Sequence, residues 1–138
     1  MKKFELIKED KITWGGRTLY RIRACRNFFT ITGYEINIGT LGGYIEKEQN
    51  LSQDGRAWIF SQAKVFDNSQ ISENAEIYHK AEICNNAQIF GNAQVYGCAE
   101  IYGNAKVYGN ARIWDNAKIC GSVEVCGSAL IHGDTCVF

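Results

Sequence analysis

The chain has 138 residues, the size of one ordinary domain. Fifteen basic and fifteen acidic side chains cancel, so no net charge directs it to a long nucleic acid or an anionic membrane. No run approaches the roughly 18 apolar residues a membrane helix needs, and Met1-Lys2-Lys3 leads into the mixed stretch Phe4–Asp10 rather than a signal core. A cytoplasmic location is therefore expected, with the six cysteines as thiols. None of them forms a C-x-x-C pair, and no metal site is expected.

Charge is uneven along the chain. Residues 1–56 carry ten basic and seven acidic side chains, and residues 57–138 carry five and eight. The first part reads as a small N-terminal β cap with a lead-in segment. Phe4–Ile7 and Arg17–Ala24 have strand character, and Trp14-Gly15-Gly16 between them reads as a turn. Four arginines fall within Arg17–Arg26, and strand alternation puts Arg17, Arg21 and Arg23 on one side with Leu19. The plain reading is a salt-bridged strand, paired with Glu5, Glu9 or Glu46. The functional reading is an anion site at Arg17, Arg21 and Arg23, because guanidinium groups fit phosphate or carboxylate. Tyr20, Tyr34 or Trp14 would then stack on a base.

From residue 57 onward an aliphatic residue recurs at every sixth position, from Ile59 and Val65 to Ile131 and Val137. A small residue, mostly alanine, stands two positions before it. Positions two apart face the same side of a strand, so each hexad predicts a short strand with two inward side chains. A helix does not match a period of six. Glycine or asparagine then supplies a corner, where the backbone takes positive φ. Asp67, Glu73, His79, Asn85 and Asp115 stand in that slot too, and Cys98 interrupts the asparagine column. A fixed period of this kind predicts a solenoid over residues 57–138.

These residues resemble the hexapeptide-repeat superfamily, as in Ile101-Tyr102-Gly103-Asn104-Ala105-Lys106. The resemblance implies an all-β, left-handed parallel β-helix, a triangular solenoid with 18 residues per coil and about four and a half coils. Gly39–Glu46 followed by Leu51–Ile59 is similar to the lead-in of a bacterial and phage branch, whose members are labelled acyltransferases by fold analogy.

With 18 residues per coil, three outward columns form. One carries Phe60, Tyr78, Tyr96, Trp114 and His132; a second carries Phe66, Cys84, Tyr102, Cys120 and Phe138; a third carries Ser72, Phe90, Tyr108 and Cys126. Aromatic ladders follow from β propensity alone. A contiguous apolar face also points to a covered interface, so Phe60, Tyr78, Tyr96, Trp114 and His132 are the expected oligomer contacts. The resemblance favours a homotrimer.

The resemblance also implies an acyltransferase alternative, with acetyl-coenzyme A as cofactor and a histidine base. His79 and His132 are the only candidates. Yet the unbroken phase leaves no room for a catalytic loop, so the preferred reading is non-catalytic. It is a solenoid holding a partner or a small anionic ligand, without a cofactor. The phage connection extends this to sequestering a nucleotide signal or blocking a host defence protein. A self-assembling structural solenoid is the remaining alternative.

Overall fold

A computed structural model describes residues 2–138. The first strand, β1 (Phe4–Trp14), pairs antiparallel with β2 (Arg17–Ala24), Phe4 facing Ala24 and Trp14 facing Arg17. Gly15 and Gly16 both have positive φ, 57° and 79°, the geometry of a two-residue hairpin turn that matches strand twist. The strand expected to end at Ile7 therefore runs on to Trp14. A register shift between Ile7 and Lys11 absorbs the polar residues that hid its continuation.

Two further strands, β3 (Phe28–Phe29) and β4 (Glu35–Ile36), form a small hairpin. Next, β5 (Leu41–Ile45) pairs antiparallel with β2 on one side and parallel with Lys64–Val65 on the other. It joins the N-terminal hairpin to the repeat. Gly42 and Gly43 have no room for a side chain: a Cβ there would lie 2.5 Å from the Ile59 carbonyl oxygen and 2.6 Å from that of Ala63. The only helix among the described residues is one 3-10 turn, Glu48–Asn50.

From Trp58 onward the chain is a β-solenoid of two-residue strands in three parallel sheets. The sheet of Trp58–Ile59, Glu76–Ile77, Gln94–Val95, Arg112–Ile113 and Leu130–Ile131 has five strands, one per coil. Partners in the ladder are 18 residues apart, as Gln94 with Arg112 and Glu100 with Lys118. Each rung donates to the next coil, Glu100 N to Ala117 O at 3.0 Å and Tyr102 N to Ile119 O at 2.9 Å. The alanine and aliphatic columns are the core, and Ala99, Ile101, Ala105 and Val107 are fully buried. From Ala57 to Ile119 both inward positions of each hexad are buried as their spacing predicts; towards the last coil cover is lost, and Thr135 is exposed.

The corners contain a device that the repeat alone does not reveal. The residue in the glycine slot sits at positive φ whatever its type, as Asn85 at 57° and Asp115 at 59°. Asp67, Glu73, His79, Asn85 and Asp115 in that slot each accept through the side chain from the amide of the next coil. Asn85 accepts from Gly103 N at 2.9 Å, Asp115 from Gly133 N at 3.0 Å, and Glu73 from Gly91 N at 2.9 Å. Beside them run asparagine ladders, Asn74 to Asn92 at 3.0 Å and Asn92 to Asn110 at 3.2 Å.

Candidate functional site

The outward columns are covered unequally. Over the second column the β1–β2 hairpin folds down. Leu19 and Ile12 pack with Tyr44, Phe66 and Cys84, and the Trp14 indole donates to Glu82 at 3.0 Å. Burial pushes the Cys84 thiol up to about 11. All six cysteines are free.

The aromatic column forms a continuous ladder. Phe60 stacks on Tyr78 at 4.7 Å between ring centres, Tyr96 on Trp114 at 5.7 Å, and Trp114 on His132 at 4.8 Å. Between the two stacks, Tyr78 meets Tyr96 edge-on, at 78° and 5.9 Å. The turn between β3 and β4 lies over the upper stack. Tyr34 packs its ring 5.3 Å from Phe60 and 5.9 Å from Tyr78.

That turn is anchored by Glu76, whose side chain is fully buried. Its carboxylate accepts from the Thr32 hydroxyl at 2.7 Å, from the Thr32 amide at 3.2 Å, and from the Tyr78 hydroxyl. Three donors compensate a carboxylate held out of water. Burial and the bond to Glu76 together raise the Tyr78 phenol well above its usual value. Neither Glu76 nor Thr32 stands out in the sequence. Glu76 occupies an outward position like Gln94 and Arg112, and only the overlying turn buries it.

A groove of about 210 Å³ opens at the edge-on contact, lined by Tyr34, Tyr78, His79, Gln94 and Tyr96. Of the three aromatic residues proposed from sequence as stacking partners, only Tyr34 borders it. Tyr20 lies under Lys8 Nζ at 4.3 Å, and Lys64 Nζ sits 4.3 Å over the Trp14 ring.

The arginines of β2 do not converge. Arg17 pairs with Asp67 at 2.5 Å and Glu46 at 3.4 Å, and Arg23 pairs with Glu5 at 3.3 Å. Arg21 pairs with Asp10 at 3.1 Å, donates to the Gly42 carbonyl at 2.8 Å, and lies over the Tyr44 ring. Glu5 and Glu46 are two of the three partners expected; in place of Glu9 the arginines meet Asp10 and Asp67. The corner depression beside Arg17, about 430 Å³, also holds Glu46, Lys47 and Asp67. Two carboxylates there offset its two cations.

The two histidines are separate. His79 occupies a corner at φ 57°, and its Nδ1 accepts from Gly97 N at 3.2 Å. In the neutral ring this places the proton on Nε2. His132 is exposed at the end of the ladder, with its Nδ1 3.9 Å from Asp115. Among the described residues no cluster of three or more histidine, cysteine or acidic side chains has metal-binding geometry. No protein-family model matches the chain, and no curated protein matches it.

Proposed function

We propose that this chain is a non-catalytic, oligomeric β-solenoid that binds a partner or small anionic ligand. In this reading it belongs with the hexapeptide-repeat proteins, its coils wind left-handed, and residues 1–56 cap its N-terminal end. The observation that carries the reading is the aromatic ladder. Its upper rings lie under Tyr34, whereas Tyr96 and Trp114 are half-exposed and His132 is exposed. A second copy is the natural cover for Trp114 and His132, beyond the groove at Tyr96, since contiguous aromatic surface favours association.

The acyltransferase alternative gains no support from either histidine. A base at His79 would have to work from Nε2, because Nδ1 is occupied by the Gly97 amide. Sedimentation at micromolar concentration should show an oligomer, and Trp114→Asp should shift it toward monomer. Monomer alone in the unsubstituted protein would overturn the oligomeric reading. Acetyl transfer from acetyl-coenzyme A that disappears with His79→Ala would overturn the non-catalytic one.

A further inference from the structure

Two concavities meet at His79. The first is the aromatic groove of Tyr34, Tyr78, His79, Gln94 and Tyr96. The second, about 450 Å³, is lined by Ser61, Gln62, His79, Lys80, Gly97 and Cys98. They offer different chemistry on either side of one imidazole.

The aromatic side suits a flat, uncharged heterocycle. The parallel stacking that runs through Phe60–Tyr78 and Tyr96–Trp114, at 26° and 4°, breaks at Tyr78–Tyr96. An edge-on contact leaves a ring face there without a parallel neighbour. Tyr34 already sets a further ring against the column, edge-on to Phe60 at 61° and tilted to Tyr78 at 58°. None of the groove's lining residues carries a permanent charge. The Gln94 carboxamide, which makes no side-chain hydrogen bond among the described residues, and the imidazole Nε2 face supply hydrogen bonds to ring heteroatoms.

The other side suits a phosphate. Lys80 is the one ordinarily charged side chain lining the second concavity, and no carboxylate lies within ion-pair distance of it among the described residues. This contrasts with Arg17, Arg21 and Arg23, each of which already has an acidic partner.

We propose that the Tyr34–Tyr96 groove and the Lys80 corner together bind a nucleoside monophosphate, its base in the groove and its phosphate at Lys80. This rests on the binding reading above and moves the anion site away from the arginines.

Calorimetric titration of the full chain tests it, with adenosine 5′-monophosphate as probe and adenosine and inorganic phosphate as separate arms. The other three common ribonucleoside monophosphates are titrated alongside, because stacking tolerates any base. Lys80→Gln should weaken the monophosphate about tenfold and leave adenosine unchanged. Tyr96→Ala should weaken both by about tenfold, while Arg23→Gln changes neither. Lys80→Gln alters an exposed side chain, so it remains decisive if Tyr96→Ala fails to fold. The proposal is overturned if no monophosphate binds at millimolar concentration, if Lys80→Gln leaves affinity unchanged, or if inorganic phosphate binds as tightly as the nucleotide. Sedimentation of the same samples separates the two readings. Monophosphate binding by a monomer overturns oligomerisation alone, and an oligomer that binds no monophosphate overturns this inference alone.

Discussion

Replacing Gly103 tests how the corners hold the coils in register. Its φ is +68°, and an added Cβ would lie 2.8 Å from Gly121 N and 3.1 Å from Gly121 O. Alanine carries two penalties: the left-handed conformation, about 1–2 kcal/mol, and displacement of the coil below. Gly103→Ala should therefore destabilise by about 2 kcal/mol or more. Gly103→Asn meets the same contact, but asparagine tolerates this conformation better and its carboxamide reaches the next amide. Asn85 does so one coil above, accepting from Gly103 N at 2.9 Å. A hydrogen bond of this kind returns about 1 kcal/mol, so Gly103→Asn should be clearly milder than Gly103→Ala. Urea denaturation followed by circular dichroism reads both variants at unchanged m-value. Equal destabilisation by alanine and asparagine would refute the claim that corner side chains satisfy the amide of the following coil.

Three further outcomes follow from the interior. Ile101 is fully buried at mid-solenoid, so Ile101→Ala should cost about 2–5 kcal/mol; Ile131→Ala, in the half-covered last coil, should cost less by the same denaturation assay. Lys3 donates to the Ala57 carbonyl at 2.7 Å, and burial, reinforced by Arg26, depresses its ammonium to about 7. Between about pH 7 and pH 10 the unfolded chain holds this proton and the folded chain does not, so stability should rise by up to about 1.4 kcal/mol per pH unit. Subtracting the pH profile of Lys3→Met should remove that rise, and a profile the substitution leaves unchanged would contradict it. Glu76→Ala strips the acceptor from Thr32 and Tyr78; amide exchange should accelerate in the turn around Thr32 and Tyr34 and stay slow at Gln94 and Val95.

The period of six was sufficient for the solenoid. Which residues face inward and where the corners fall follow from strand alternation and positive-φ chemistry, both local properties; the 18-residue register was implied by the family resemblance and is seen in the strand pairing. Local pattern failed where distant segments meet. Polar residues from Lys8 to Asp10 conceal the second half of β1, because a bulge breaks the alternation. The arginines of β2 look like an anion site until Asp10 and Asp67, separated from their partners by 11 and 50 positions, arrive beside them. Glu76 is an ordinary outward residue in its hexad, and only the β3–β4 turn makes it a buried anchor. The groove at His79 likewise needs Tyr34, brought from outside the repeat to cover its upper stack. Repetition sets a rod with three faces; tertiary contacts decide which face is covered, which charges are already neutralised, and where a concavity is left open.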